Sequence, residues 1–578
     1  MSVVAFLRHG LRLVVPLAVA ITIYLYMYPV FQGCAFPIES GSSKNAFDLT
    51  KKLHWPASMN GLTEQDRAKL APFRLLTFGD PQLEGDTSIP TNYLGTFPHL
   101  KRAFKHATFQ TSHSSIRERV RKVTHEFVDV VFEDVFYLLE SVRKRFDHFG
   151  NDFYLAHIYR TLHWWSQPTH VTVLGDLLGS QWIDDAEFAK RSKRFWKRTF
   201  KGAERLPDEV AQWPVEGYTV TGYLDGSKEE KVWEKRLLNV AGNHDIGYAG
   251  DLTEERLERF EKAFGKANYD LHFQLPVTNP EYKATMFDPA RNHDSIRQTP
   301  EIRVVVVNDM NLDTPANSSA LQDETYNFIN GVISTSGDVE HKGTFTLILT
   351  HIPLYKPAGI CVDSPFFDFH SKQDGGGLKE QNQLSADASR GFLEGMWGMS
   401  ARKGAPNGGY GRPGLMLNGH DHEGCDIYHF INQTNGTSAS ARSWEVARWA
   451  DAQAKNMPGA EFIPGRREIT VRSMMGDFGG NAGLLSMWFD FEAWQWQYEW
   501  TQCPLGTQHL WWFVHIVDFI VLVWIVVLGV VNFLVGSGVD VDAEFYKGVS
   551  CAWDWILERV GRRRRESMVN GKIKKEKL

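Results

Sequence analysis

The sequence lacks an excess of charge, a strong compositional bias and internal repeats. Its 578 residues carry a formal net charge of -6, so the overall charge gives no reason to expect a nucleic-acid partner. Apolar residues make up 43% of the chain, which is too many for a disordered protein. No segment recurs at a fixed spacing. These absences leave one large folded domain with insertions, or two ordinary domains.

Long apolar runs are also scarce, and only two are long enough to cross a bilayer. They cover residues 13–31 and 510–535, and a membrane-spanning helix needs about 20 apolar residues. The alternative for the first run is a cleaved signal peptide. Its apolar core is longer than the roughly 7–15 residues usual in such peptides, and no A-x-A cleavage site follows. We therefore predict two transmembrane helices.

Basic residues flank both runs on their outer sides. Arg8 and Arg12 precede the first run, and Arg562–Arg565 follow the second. Positive charge is retained on the cytosolic side of membranes. The pattern predicts a cytosolic N-terminus over residues 1–12, a basic cytosolic tail over residues 536–578, and a luminal body between the two spans.

The body between the spans contains the residue types that a secretory lumen modifies. Three sequons for N-glycosylation occur there, at Asn317, Asn432 and Asn435. Four of the five cysteines also lie there, namely Cys34, Cys361, Cys425 and Cys503. An oxidising lumen permits disulfides, and four cysteines allow three pairings. The sequence does not choose between these pairings.

The luminal body divides into a stalk and a larger domain. Residues 32–72 are polar and predict a stalk, whereas residues 73–508 alternate short apolar runs with helical patterns. Short apolar runs that end in turn residues are typical of buried strands. Alternating strands and helices predict an α/β sandwich with its site along one edge of the sheets. Residues 371–412 are rich in glycine and predict a long insertion loop.

Polar clusters follow five of the predicted strands. In chain order they are Asp80, Asp176, Asn243-His244-Asp245, His351 and His420-Asp421-His422. Taken singly, a Gly-Asp pair is usually a turn, and a lone histidine is usually a hydrogen-bonded core residue. Five such clusters in one chain, each at a strand end, favour a metal site built from carboxylate, imidazole and amide ligands.

The ligand types suit a pair of metal ions. Two metals about 3.5–4 Å apart supply a nucleophile at neutral pH and offset the charge of a phosphoester. One carboxylate must bridge them, and Asp176 is the candidate. His420 and His422 alternate along an extended segment, where side chains two residues apart share a face.

These clusters resemble the motifs of the calcineurin-like metallophosphoesterases. The resemblance implies a four-layer α/β/β/α sandwich flanked here by the two transmembrane helices. It assigns the predicted ligands as follows: Asp80 and His422 to the first metal, Asn243, His351 and His420 to the second, and Asp176 to both. His244 would contact the phosphate or protonate the leaving oxygen, and Asp245 would orient it.

One position departs from that family. The first motif is usually Asp-x-His, whereas this chain has Asp80-Pro81-Gln82. A glutamine ligates only through a weak neutral oxygen. Gln82 is therefore a candidate ligand. The sequence does not decide whether it binds the first metal.

Three further segments resemble a narrower, fungal branch: the phosphodiesterases that trim ethanolamine phosphate from glycosylphosphatidylinositol (GPI) anchors. The segments are Phe78–Gln82, Glu468–Met475 with Gly479–Gly483, and Gln508–Trp512. The resemblance implies two divalent ions, with manganese expected. It also implies residence in the endoplasmic reticulum membrane with cycling to the Golgi, and a role in exporting GPI-anchored proteins.

The partners that this branch implies are a GPI-anchored protein or a GPI glycolipid as substrate, together with cargo transport receptors. Two alternatives stay open at this point. One is a luminal phosphatase or phosphodiesterase acting on a different substrate, such as a phosphoprotein or a phospholipid. The other is a catalytically inactive module that organises cargo.

Overall fold

The computed structural model describes residues 2–553, 555, 557 and 558, except residues 40, 57–60, 86–96, 114, 228–229, 289–294 and 435–436. The chain forms two compact units, Tyr28–Gln508 and the combination of Met1–Met27 with His509–Leu578. The described helices are α1 (Val3–Tyr26), α2 (Tyr28–Phe31), α3 (Ser43–Leu53), α4 (Glu64–Arg67), α5 (Pro98–Ala107), α6 (Ile116–Asp129), α7 (Val135–Ser166), α8 (Asp185–Arg194), α9 (Asn243–Ile246), α10 (Glu254–Phe264), α11 (Pro280–Ala284), α12 (Ser319–Ser334), α13 (Ala386–Trp397), α14 (Trp449–Ala454) and α15 (Gln508–Gly536).

The larger unit contains all of the described strands. They are β1 (Phe73–Phe78), β2 (His170–Val173), β3 (Glu204–Arg205), β4 (Gly222–Tyr223), β5 (Arg236–Asn239), β6 (Tyr269–Gln274), β7 (Arg297–Val306), β8 (Lys342–Leu349), β9 (Phe367–Phe369), β10 (Leu378–Gln381), β11 (Gly414–Asn418), β12 (Cys425–Phe430), β13 (Glu445–Arg448), β14 (Gly465–Thr470), β15 (Asn481–Asp490) and β16 (Gln495–Pro504).

Two large sheets share one hydrophobic core. The six-stranded sheet has the order β16-β15-β1-β2-β5-β3, and the eight-stranded sheet has the order β13-β12-β14-β11-β8-β7-β6-β4. Leu75 and Leu238 from the first sheet belong to the same buried cluster as Val304, Leu347 and Leu417 from the second. The predicted α/β class is confirmed. The four-layer order remains a prediction.

Strands β1, β2 and β5 run parallel to one another, as do β7, β8, β11 and β14. Parallel strands bring their carboxyl ends to the same edge of a sheet, which is where ligands bind in α/β proteins. The topology therefore gathers the loops that follow β1, β2 and β5 in one sheet, and those that follow β8 and β11 in the other.

The smaller unit contains two helices long and apolar enough to cross a membrane, α1 and α15. Their bounds differ from the apolar runs, since α1 already begins at Val3. Ser2 caps it by accepting a hydrogen bond from the Ala5 amide, so the helix start depends on the cap and not on hydropathy. Residues 541–553 are helical, and the basic residues 562–565 predicted to mark the cytosolic side lie outside the described part of the chain.

The described part of the segment predicted as a polar stalk, residues 32–72, is folded onto the domain. Ala46 and Leu49 of α3 are buried in a small apolar cluster. The imidazole of His54 stacks on Trp165 of α7, and its Nε2 donates to the Trp165 carbonyl at 2.8 Å. The few apolar residues that make these contacts are scattered among polar ones, so the composition of the segment conceals them.

The segment predicted as a glycine-rich loop, residues 371–412, is not a loop throughout. It contains strand β10 and the twelve-residue helix α13. Four large side chains of α13 are buried, namely Phe392, Leu393, Met396 and Trp397. Gly391 and Gly395 lie inside this helix, and their low helix propensity masked its pattern in the sequence.

Two disulfides select one of the three possible pairings. Cys34 pairs with Cys503 and Cys361 with Cys425, at Cα–Cα distances of 5.5 and 6.0 Å. Cys551 is free and exposed. The first bridge ties the segment that follows α2 to the last strand, and the second ties the segment between β8 and β9 to the start of β12. A disulfide in a folded domain typically contributes about 2–4 kcal/mol.

Candidate metal centre

The predicted ligands follow neighbouring strands and meet at one edge of the core. Asp80 lies two residues after β1, and Asp176 lies three residues after β2. Asn243 begins α9 shortly after β5. His351 follows β8 by two residues, and His420 follows β11 by two. The structure thus brings ligands from both sheets into direct contact.

Four residues of the site hold the left-handed backbone conformation. Their φ angles are 44° at Asp80, 40° at Gln82, 49° at Asp176 and 71° at His420. Such a conformation costs a non-glycine residue about 1–3 kcal/mol and persists only where the surroundings enforce it. Strain of this kind concentrates at functional sites, and here it coincides with the predicted ligand set.

Backbone carbonyls fix the tautomers of two histidines. Nδ1 of His351 lies 2.8 Å from the carbonyl oxygen of Leu174, and Nε2 of His420 lies 2.9 Å from that of Gln381. A carbonyl oxygen only accepts, so each of these nitrogens must carry the proton. In the neutral ring the other nitrogen then presents a lone pair. Metal-binding histidines are oriented in this way.

Those lone pairs point at one place. Nε2 of His351 lies 2.9 Å from Oδ1 of Asn243, 3.2 Å from Nδ1 of His420 and 3.3 Å from Oδ1 of Asp176. These atoms share a proton on Nε2 of His351, whose pKa is raised, and a divalent ion can take the place of that proton. These four residues are the predicted set for the second metal plus the bridging carboxylate, and the geometry fits a divalent ion.

The first metal position is built around Asp80, Asp176 and His422, whose ligand atoms lie within 4.8 Å of one another. The amide nitrogen of Gln82 reaches the same place, at 2.9 Å from Oδ2 of Asp176 and 3.2 Å from Nε2 of His422. Rotation of the amide by 180° exchanges its nitrogen and oxygen. Gln82 is therefore positioned to offer an oxygen to an ion at this position.

Buried negative charge favours cations in this site. Asp80, Asp176 and His351 are fully or almost fully buried. Burial, together with the charge of Asp176, raises the pKa of Asp80 to about 8. Burial opposes protonation of His351, but the charges of Asp176 and Asp80 raise its pKa to about 10. Divalent cations would balance these carboxylates.

His244 faces the open side of the site. Its imidazole is 36% exposed, and its Nε2 lies 3.8 Å from Oδ2 of Asp176. Its backbone amide donates to the other oxygen of Asp176 at 2.9 Å. Nδ1 of His244 is buried and has no hydrogen-bond partner among the described residues, so the exposed part of the ring is the part that a phosphate could reach. Its contact with the phosphate stays a prediction.

Asp245 does not contact the imidazole of His244, contrary to the sequence-based expectation. Its carboxylate accepts the backbone amides of Leu177, Leu178 and Gly242 at 2.9–3.1 Å. The reason is local: Asp245 is the third residue of α9, from which a carboxylate turns back to the amide at the helix start. Asp245 instead ties the loop that carries Asp176 to the loop that carries Asn243.

Three groups in the site are not indicated by the motifs of the sequence. Two are the carbonyls of Leu174 and Gln381, which orient the histidines, and no side-chain pattern signals a carbonyl. The third is the buried carboxylate of Asp309, which accepts the Ile352 amide at 2.8 Å beside His351. Asp309 follows β7 by three residues, so the pattern of polar residues at strand ends could have identified it.

A short turn beside His422 contacts the end of the larger unit. The ring of Phe478 packs on His422 with centroids 4.8 Å apart. Gly476, in the same turn, packs so closely on Gln508 that an added Cβ would lie 2.5 Å from the Cβ of Gln508. Gln508 is the last residue of the larger unit and the first residue of α15.

We expect Gln82→His to tighten binding of the first metal. An imidazole is a stronger ligand than an amide oxygen, and the side chain already lies between Asp176 and His422. The apparent dissociation constant should fall by about tenfold. Competition with a chelating dye measures the change, with Gln497→His on the surface strand β16 as a matched control. Unchanged affinity would mean that residue 82 lies outside the coordination sphere.

Comparison with known proteins adds three relatives, while no family model matches. Protein TED1 of Saccharomyces cerevisiae is 32% identical over 411 residues, covering 64% of this chain and 76% of the relative. An uncharacterized protein of Schizosaccharomyces pombe is 27% identical over 360 residues, covering 59% and 63%. Metallophosphoesterase 1 of Danio rerio is 22% identical over 334 residues, covering 55% and 66%.

Proposed function

The chain belongs to the family of the yeast protein TED1, and from that premise we propose that it is a metal-dependent phosphodiesterase that removes ethanolamine phosphate from the glycan of GPI anchors. The observation that carries the proposal is the convergence of His351, Asn243 and His420 on the buried carboxylate of Asp176. Similarity to a metallophosphoesterase of Danio rerio supports phosphoester chemistry.

Each side chain has a distinct part in the proposed reaction. When bound, two divalent ions, manganese in our proposal, would lower the pKa of a water molecule and offset the charge on the phosphoryl oxygens. Asp176 would hold both ions. His351, Asn243 and His420 would hold one of them, and Asp80, His422 and Gln82 the other.

His244 would act on the substrate itself. Its imidazole lies on the open side of the site, where it can donate a hydrogen bond to a phosphoryl oxygen or a proton to the leaving oxygen. Asp245 acts through the backbone, because it fixes the loops of Asp176 and Asn243 relative to each other. Both residues therefore contribute, but only His244 would contact the substrate.

The two helices able to cross a membrane support a substrate held in that membrane. A GPI anchor is a phosphodiester of this kind. We place the protein in the endoplasmic reticulum membrane, cycling to the Golgi, with its catalytic domain luminal and cargo transport receptors as partners.

A panel of substrates tests the proposal. Full-length protein in detergent should release ethanolamine phosphate from GPI glycan and act much more slowly on a phosphopeptide or a phospholipid. Faster hydrolysis of the phosphopeptide or phospholipid would reassign the substrate. Inertness towards all three, with metal bound, would favour the inactive cargo-organising alternative.

Glycosylation tests the luminal orientation. The side-chain oxygen of Asn432 accepts from the Thr434 hydroxyl at 2.6 Å within its sequon, whereas the Asn317 amide is engaged with the Leu252 carbonyl at 3.1 Å. The third sequon, at Asn435, lies outside the described residues, so the test uses an Asn435→Gln background. In that background, Asn432→Gln should abolish the shift in gel mobility that peptide N-glycosidase produces. Asn317→Gln should preserve the shift. A wild-type protein without any shift would contradict the luminal placement.

A further inference from the structure

An arm of helices carries a row of large apolar side chains that no described residue covers. The arm comprises α5, α6 and the first half of α7, and no residue of α6 is buried. Six side chains along α6, α7 and the turn that joins them are 52–75% exposed, and we call them the apolar stripe: Ile116, Val120, Phe127, Val131, Leu139 and Phe146. Soluble monomers rarely leave a contiguous patch of this kind open to water.

A π-helical turn keeps the stripe on one face. Val130–Asp134 forms this turn between α6 and α7. A π-helical turn accommodates one extra residue, which is worth about 100° of rotation. Without it, Leu139 and Phe146 would rotate away from Phe127. With it, the six side chains fall within about 60° of one another on the helical wheel.

The arm is held in a defined conformation by polar contacts. Asp134 accepts the backbone amides of His99 and Leu100 at the start of α5, both at 3.1 Å. Arg102 of α5 pairs with Glu126 of α6 at 3.0 Å. His125, on the opposite face of α6, is 78% exposed. The stripe therefore lies on an ordered helical surface and not on the frayed end of a helix.

Helix α7 leads from the stripe to the place where the chain joins its two apolar helices. The hydroxyl of Tyr154 donates to the carbonyl of Gly506, two residues before α15 begins. Gly506 in turn lies against the ring of Tyr28, which follows α1. Phe146 precedes Tyr154 by eight residues, or about 12 Å along the helix. The chain therefore continues into α1 and α15 from residues that contact α7, the helix that carries the last part of the stripe.

We propose that the apolar stripe lies in the interface of the bilayer that anchors the chain, as an amphipathic helix parallel to the surface. Such helices bury their apolar face about 5–10 Å deep at the boundary of headgroups and acyl chains. The arm would then hold the metal centre at a fixed height above the lipid headgroups. The inference rests on the membrane anchoring in the proposed function, and not on the chemistry of the metal centre.

Lipid quenching tests the placement in the full-length chain. Single cysteines are introduced in a Cys551→Ser background, labelled with an environment-sensitive fluorophore, and reconstituted in phosphatidylcholine vesicles. Lipids with a nitroxide near the headgroup end of the acyl chain should quench labels at Val131→Cys and Leu139→Cys, but not at His125→Cys on the opposite face. Equal quenching at all three positions, or crosslinking of stripe cysteines between copies, would overturn the proposal.

Activity on two substrates separates this inference from the proposed function. The double variant Val131→Glu/Leu139→Glu should hydrolyse a soluble aryl phosphodiester at the wild-type rate. On GPI glycolipid in vesicles it should lose about tenfold in rate, because the charged arm no longer seats in the interface. His125→Glu is the matched control. If the double variant hydrolyses both substrates at the wild-type rate, the arm's role is refuted. If the wild-type enzyme itself is inert on both substrates, the proposed function is refuted.

Discussion

Asp176→Asn should abolish phosphodiester hydrolysis, with a loss of about 10³-fold or more in kcat, because several kcal/mol of metal-derived stabilisation would disappear. The two oxygens of Asp176 face different ligands. Oδ1 lies 3.3 Å from Nε2 of His351, and Oδ2 lies 2.9 Å from the Gln82 amide. Asparagine retains only one oxygen and no charge, so it cannot bridge two ions.

The readouts for this variant are its metal content and its rate. Mass spectrometry of the purified protein should find fewer metal ions per chain than in the wild type. Asp426→Asn is a matched control, since Asp426 pairs with Arg467 at 2.6 Å and is not among the predicted ligands. That variant should keep both metals and full activity. Wild-type activity in Asp176→Asn would refute the assignment of the bridging ligand.

His244→Ala should retain its metals and lose about 10²–10⁴-fold in rate on the glycan substrate. The backbone amide of residue 244, which donates to Asp176, is unchanged by the substitution, so the ligand set stays intact. The imidazole is lost, and with it a proton for a poor alkoxide leaving group. An activated aryl phosphodiester departs without a proton, so the loss on that substrate should be smaller.

His244→Gln separates the two possible roles of this imidazole. Glutamine can donate a hydrogen bond to a phosphoryl oxygen but cannot transfer a proton. If His244 is a general acid, the His244→Gln variant should be as slow as the His244→Ala variant on the glycan. If His244→Gln restores the rate, or if His244→Ala loses rate equally on both substrates, His244 contacts the phosphate instead. Loss of metal in step with activity would make His244 a ligand.

The candidate ligands obey a local rule that the sequence reveals. Asp80, Asp176 and His351 each follow a short apolar run within three residues, and parallel strands bring such positions to one edge. The residue types then indicate a metal without knowledge of the fold. The left-handed backbone at Asp80 and Asp176 adds strain that no pattern of apolar and polar residues reveals.

Contacts between segments that are distant in the sequence position the remaining groups of the site, and the sequence does not reveal these contacts. The carbonyl of Gln381 orients His420 from a segment whose glycines suggest a loop. Asp245 neighbours His244 in sequence, yet its carboxylate turns to the amides of another loop. The residues that pack α3 onto α7 are similarly dispersed. In each case the partner is set by tertiary contacts, which residue spacing does not encode.

The most direct test of the account is a metal titration coupled to turnover. Full-length protein is stripped with a chelator, manganese is added back stepwise, and release of ethanolamine phosphate from GPI glycan is followed. The account predicts no activity without metal and full activity at two ions per chain. Full activity in the stripped protein, or none on this glycan with two ions bound, would contradict it.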